Sequence, residues 1–256
     1  MKFGICILNS IPLRVEASDA SEMVSQLLFG EHFKVLEIKK QWLYVKLGFD
    51  GYQGWIDSKQ IEEINEDYYL DLQKTNATFS NELLNFVTTE NDKLIPLSVG
   101  ATLPNYKSNK FKINNNFFTF EGKIKKGNLS KNEIVETAFI YLNAPYLWGG
   151  KSPFGIDCSG FTQMVYKING FKLFRDASQQ AKQGTVLSFI EESEPGDLAF
   201  FDNEEGNITH VGIVLANNFI IHASGKVRLD RLDQSGIYNE ETNRHTHKLR
   251  LIKKMF

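Results

Sequence analysis

The sequence predicts an α+β protein, with helices grouped ahead of a mainly antiparallel sheet and a region of short strands before both. Three observations predict it. Residues 33–56 break into short strand-like runs, residues 130–142 and 158–168 carry apolar side chains at helical spacing, and residues 209–224 hold two β-branched apolar runs flanking a polar connection. Helices that precede the strands, rather than alternating with them, separate this pattern from a β-α-β layout.

The 256 residues suffice for about two ordinary domains. We read them as 1–63, a small β-barrel; 64–125, a second barrel or a linking β region; and 126–256, the larger α+β domain. In the first, the stretch from Met1 to Ser10 reads as an opening strand. Phe33 to Ile38, Trp42 to Leu47 and Gly54 to Ile56 follow, the last two joined by a tight turn at Gly48-Phe49-Asp50-Gly51. The polar run Glu62 to Asp67 marks a boundary, and Lys93 to Leu97, Ala101 to Pro104 and Phe117 to Phe120 suggest further short strands. The third region opens at Ser130, which with Glu133 makes a Ser-x-x-Glu capping box ahead of Ile134, Ala138 and Leu142, in a helix that Pro145 ends.

Composition excludes some functions. A net charge of −2 without long charged runs offers no electrostatic grip on nucleic acid. No window approaches the ~18 consecutive apolar residues of a membrane span, and Met1 to Ser10 lacks a secretory h-region. The expectation is a monomeric cytoplasmic protein with no membrane partner, no cofactor and no metal. Cys6 and Cys158 have no metal-type spacing, and a disulfide between them would consume the thiol considered next. His245-Thr246-His247 reads as a surface strand rather than a metal site.

Cys158 lies in Asp157-Cys158-Ser159-Gly160-Phe161, at the start of a helix marked by Phe161, Val165 and Ile168 and closed by Gly170. The thiolate is the nucleophilic form of a cysteine, and a free thiol titrates at about 8.5. A helix start lowers that value, and a protonated histidine beside the sulfur would complete an ion pair. A buried free cysteine taken alone is more often a small hydrophobe. Two histidines change the balance. His210 and His222 lie on strands joined by Ala216-Asn217-Asn218; a three-residue loop sets Leu215 opposite Phe219 and His222 opposite Gly212, so His210 is the diagonal neighbour of His222 on one face. A two-residue loop would put the rings on opposite faces. The chemistry assigns His210 as general base, then acid for the leaving amine, and His222 as the group that holds its tautomer.

These residues resemble the NlpC/p60 cysteine peptidases. The resemblance runs through Pro145-Tyr146-Leu147-Trp148-Gly149-Gly150, the Cys158 motif, Arg175-Asp176-Ala177-Ser178-Gln179-Gln180, Pro195-Gly196-Asp197-Leu198, Thr209-His210-Val211-Gly212-Ile213 and Ile221-His222-Ala223-Ser224-Gly225. It implies a papain-like catalytic core with Cys158, His210 and His222 as its catalytic set. Residues 1–63 resemble a bacterial SH3-like domain, most clearly at Trp42-Leu43-Tyr44-Val45 and Gly51 to Ile56. Within the family the chain is most similar to γ-D-glutamyl-L-diamino acid endopeptidases of the dipeptidyl-peptidase VI type. That similarity implies hydrolysis between γ-D-glutamate and meso-diaminopimelate or lysine in murein stem peptides with a free N-terminal L-alanine. Asp157, Ser178 and Tyr146, with Glu22 and Tyr52 of the SH3-like domain, match its substrate pocket.

Each of these residues has an ordinary alternative. Asp157 can cap its helix, Tyr146 can pack beside Trp148, and Ser178 can cap a short helix from Gln179 to Gln183. Glu22 can be a solvated turn carboxylate and Tyr52 a barrel aromatic. The oxyanion is expected at the Cys158 N–H, with Tyr146 one candidate for the second donor. Two other functions stay open: a thiol acyltransferase or amidase on the same machinery, and a wall-peptide binding protein with relic catalytic residues.

Overall fold

Strands in the N-terminal part are short because glycines in left-handed conformations end them: Gly30 and Gly51 both have φ of +77°. The computed structural model describes residues 2–127 and 130–256, which fall in two units, residues 2–127 with 148–153 and residues 130–147 with 154–256.

In the first unit, β1 (Phe3–Cys6), β2 (Ser10–Arg14), β3 (Met23–Leu28), β4 (His32–Lys39), β5 (Trp42–Leu47), β6 (Gln53–Asp57) and β7 (Ile61–Ile64) form a sheet of order β3-β2-β6-β5-β4-β1-β7. Ile11, Leu13, Leu27, Phe33, Leu43, Val45 and Ile56 fill its core with Cys6, a free thiol. After it come α1 (Glu66–Lys74), β8 (Thr78–Ser80), β9 (Leu84–Thr89), β10 (Leu94–Ser98), β11 (Thr102–Leu103), β12 (Lys110–Ile113), β13 (Asn116–Thr119) and β14 (Ile124–Lys126). These strands make two small sheets, β10-β9-β13-β12 and β11-β8-β14. Their core is shared: Phe3, Ile5 and Phe29 pack with Val87, Leu97, Phe111, Phe118 and Phe120.

Part of the polar run read as a boundary is the start of α1, capped by Asn65, whose side chain accepts from the Tyr68 N–H at 2.8 Å. No α1 residue is fully buried, but Tyr68, Tyr69 and Leu72 pack partly buried against the core. The unit also takes in β15 (Lys151–Ser152), where Lys151 Nζ lies 3.0 Å from Glu31 Oε1 with both side chains buried.

The second unit begins with α2 (Lys131–Ile140), β16 (Gly155–Ile156), α3 (Cys158–Ile168) and α4 (Ala177–Gln180). Ser130 occupies the N-cap position of α2 but its side chain makes no capping hydrogen bond, and the helix stops at Ile140, before Pro145. Thus the start was legible and the capping box did not form. α3 is buried along its whole length, which accounts for its apolar spacing, and Gly170 with φ of +87° turns the chain away.

The sheet follows: β17 (Thr185–Leu187), β18 (Leu198–Asp202), β19 (Ile208–Leu215), β20 (Phe219–Ser224), β21 (Lys226–Asp233), β22 (Gly236–Asn239) and β23 (Arg244–Lys254), in the order β17-β23-β18-β19-β20-β21-β22. β22 also pairs with β23, closing six of the strands on themselves. Ala199, Phe201, Val214, Ile220, Leu232 and Ile237 pack together as a core. Since side chains alternate along a strand, His210, His222 and Asp230 share a face with Val214, Ile220 and Leu232 respectively.

Candidate active site

The β19–β20 hairpin sets the geometry. Asn217 and Asn218 take left-handed conformations, φ of 58° and 60°, and the three-residue connection pairs Leu215 with Phe219 and Gly212 with His222. His210 and His222 therefore meet on one face, Nε2 of His210 lying 2.8 Å from Nδ1 of His222. On β21, Arg228 stands opposite His222. Asp230, two residues on, accepts from His222 Nε2 at 2.9 Å. Arg228 donates to both oxygens of Asp230, at 2.7 and 3.0 Å, and its Nη1 reaches Glu241 at 3.0 Å.

Burial keeps both histidines neutral. It holds His210 well below the usual imidazole range, with the charges of His222 and His247 adding to the effect. His222 is also lowered by burial, against the opposing pull of Asp230. A third imidazole, His247 of β23, stacks on His210 with ring centroids 4.1 Å apart. Burial and the His222 charge bring His247 down to about 4.

α3 packs on β19 and β20, and the backbone of Val211, the residue after His210, hydrogen-bonds the Cys158 sulfur. Asp157 caps α3 by accepting from the Gly160 N–H at 2.6 Å. It is also gripped by Arg175, with Nη2 to Oδ2 at 2.6 Å and Nη1 to Oδ1 at 3.0 Å. The Cys158 thiol is pushed up to about 12, by burial first and by the Asp157 charge second; Val211, Arg175 and Ser159 work the other way and lose. This reverses the expectation of a lowered thiol. The helix start acts on the sulfur, but desolvation of a thiolate is the larger effect here.

The comparisons with known proteins bear on the whole chain. Residues 143–247 match the model of the NlpC/P60 family, and residues 13–61 match that of the bacterial dipeptidyl-peptidase Sh3 domain. A gamma-D-glutamyl-L-lysine dipeptidyl-peptidase of Bacillus subtilis (strain 168) is 30% identical over 216 residues, which span 78% of this chain and 71% of that relative. The chain belongs to the NlpC/P60 family. It is a cysteine peptidase of that family, with an SH3 domain ahead of the NlpC/P60 fold. Dipeptidyl-peptidase 6 of Lysinibacillus sphaericus is 28% identical over 268 residues, covering 93% of this chain and 95% of its own. The crystal structure of an NlpC/P60 family protein from Bacillus cereus ATCC 10987 shares the fold, with a TM-score of 0.82 over 99% of each chain at 19% identity.

In this NlpC/P60 chain the other singled-out residues fall as follows. Tyr146 lies in the same unit as Cys158, and its phenol is raised to about 12 by burial and then by the charges of Cys158 and Asp157, so it stays a proton donor. Ser178 is exposed within α4 and is not its cap: Asp176 holds that place, its N–H donating to Gln179 Oε1 at 3.4 Å. Glu22 and Tyr52 belong to the first unit. There Glu22 is exposed and accepts from the Trp148 indole N–H at 2.6 Å, while Tyr52 packs partly buried against the barrel core.

Sequence reasoning missed Asp230, Arg228 and His247. The one-residue turn at Gly225, φ +69°, carried a signal: counting back from it pairs Ser224 with Lys226 and His222 with Arg228. His247 was read as part of a surface strand. β23 is a strand, but β18 pairs with both β23 and β19, which brings this ring over His210.

Proposed function

We propose that this cysteine peptidase hydrolyses the bond between γ-D-glutamate and the diamino acid, meso-diaminopimelate or L-lysine, of murein stem peptides with a free N-terminal L-alanine. The reading includes a monomeric enzyme recycling cell-wall peptides in the cytoplasm. The observation that carries the chemistry is the hydrogen-bonded line His210–His222–Asp230, whose first two members lie on strands packed against α3, the helix that Cys158 opens. The substrate comes from the relatives' names and the pocket motif.

In this mechanism Cys158 rests as a thiol and His210 as a neutral imidazole, so proton transfer accompanies attack instead of preceding it. Nδ1 of His210 takes the thiol proton as Sγ adds to the γ-glutamyl carbonyl. The oxyanion is held by the Cys158 N–H at the start of α3, with Tyr146 as the second donor. His210 then gives its proton to the leaving amine, and the L-Ala-γ-D-Glu thioester on Cys158 is resolved by water. His222 keeps the first ring in orientation.

The proposed substrate contacts are Asp157, Ser178 and Tyr146 in the second unit and, by the resemblance of residues 1–63 to the SH3-like domain, Glu22 and Tyr52 in the first. Asp157 already accepts from the Gly160 N–H, the Ser159 hydroxyl and both Arg175 Nη groups, so a substrate ammonium would have to share its carboxylate with these donors. An N-blocked stem offers no cation to these acids and binds less well.

Mass-resolved hydrolysis of L-Ala-γ-D-Glu-L-Lys, its meso-diaminopimelate counterpart and the N-acetyl form of each tests the reading. Release of L-Ala-γ-D-Glu from the free-amine peptides alone is the expected result. Equal cleavage of the acetylated forms removes the amine pocket, and cleavage of none removes the substrate assignment.

A further inference from the structure

We infer that Asp230, clamped by Arg228, is a positioning residue that fixes the tautomers of His222 and His210 and leaves Nδ1 of His210 as the unprotonated base. The inference rests on the reading of His210 as general base and adds what makes it one.

Burial alone would raise the Asp230 carboxyl, but hydrogen bonds and charge from His222 and Arg228 outweigh it and hold the group below the usual carboxylate range. Asp230 is therefore an ion and can only accept. Its side chain is 3% exposed. Arg228 Nε meets Oδ2 at 2.7 Å and Nη2 meets Oδ1 at 3.0 Å, which prevents the carboxylate from turning away.

Since Oδ2 of Asp230 also lies 2.9 Å from His222 Nε2, that nitrogen must carry the hydrogen. A neutral imidazole has only one, so His222 Nδ1 is an acceptor. The group 2.8 Å from it, Nε2 of His210, must then donate. His210 is neutral as well, and its single hydrogen is now spent on Nε2. Its Nδ1 is left with a lone pair.

The arrangement depends on register. In the β20–β21 ladder, Arg228 is directly opposite His222 and Asp230 is opposite Ile220, so the carboxylate reaches the imidazole diagonally on the same face. Besides these groups, His222 faces His210 on β19 and His247 on β23, neither of which supplies an acceptor for its Nε2 among the described contacts.

The test is nitrogen-15 NMR of the imidazoles in the full chain carrying Cys158→Ala, without and with Asp230→Asn. Without the second change, both His210 and His222 are expected as Nε2–H tautomers at neutral pH. This measurement stands even if the Asp230 variant does not fold. In Asp230→Asn the Arg228 donors claim the single amide oxygen and turn the NH₂ toward His222. Both rings are then expected to switch to Nδ1–H. With Cys158 in place, Asp230→Asn should lower kcat by about 10²–10⁴-fold with KM within about threefold, and Asp230→Glu should recover part of the loss.

Nδ1–H tautomers in the Cys158→Ala protein, or unchanged tautomers together with unchanged kcat in Asp230→Asn, would overturn the inference. The NMR readout needs no turnover. Wrong tautomers in an enzyme that still cuts the peptide sink the positioning role alone, while the expected tautomers in a protein that cuts nothing sink the proposed function alone.

Discussion

Arg175 Nη2 lies 2.6 Å from Asp157 Oδ2, and neither side chain is more than 8% exposed. The residue before Cys158 is therefore a helix cap and half of a buried ion pair at once. Removing one partner of such a pair leaves the other charge desolvated, at a cost of about 3–5 kcal/mol. Arg175→Met should lose stability on that scale, measured by denaturant unfolding. A loss under about 1 kcal/mol, the range of exposed pairs, would contradict the structural role.

The thiol at about 12 gives a pH prediction. Only thiolate is alkylated, so the iodoacetamide rate at Cys158 should climb about tenfold per pH unit from pH 7 to 10 without levelling. A thiolate–imidazolium pair would react at a rate independent of pH over that range. Modified-peptide mass spectrometry separates Cys158 from Cys6, which is also buried and raised to about 12.

His210→Ala should slow turnover more than His222→Ala. The first removes the proposed base, worth about 10²–10⁴-fold; the second removes the acceptor that orients it and should cost about tenfold less. Steady-state kcat on the free-amine tripeptide measures both. A larger loss for His222→Ala would reverse the two roles.

Gly212 is small for the sake of His222. A methyl group there would stand 2.9 Å from His222 Cβ and 2.7 Å from Ile220 Cδ1, so the strand carrying the ring must shift. Overpacking of this kind costs about 1–3 kcal/mol. Gly212→Ala should show that loss in unfolding and at least about a tenfold fall in kcat, because catalytic geometry tolerates little displacement.

Local signals made much of the site legible. The Asp157 cap, the apolar spacing to Ile168 and Gly170 define α3 without reference to the rest of the chain, and a three-residue loop put His210 and His222 on one face where a two-residue loop would not, a choice that the β19–β20 register decides. What escaped depends on distant pairings. Arg175 reaches Asp157 from 18 residues away, His247 meets His210 because β18 pairs with both β23 and β19, and Asp230 needs the β20–β21 register. The thiol shift was misjudged for the same reason: the helix start is local, whereas burial comes from the assembled unit. α1 escaped because its apolar signal, Tyr68, Tyr69 and Leu72 packed partly buried on the core, is confined to a nine-residue helix beside a polar run, and the Ser130–Glu133 pattern marked a helix start without a Ser130 capping bond.

The most direct test of the account is turnover of L-Ala-γ-D-Glu-L-Lys by Cys158→Ala against the unsubstituted chain, with matched circular dichroism and unfolding curves. The account predicts a folded variant that binds the peptide and releases no L-Ala-γ-D-Glu. Turnover at the unsubstituted rate by the folded variant would contradict it.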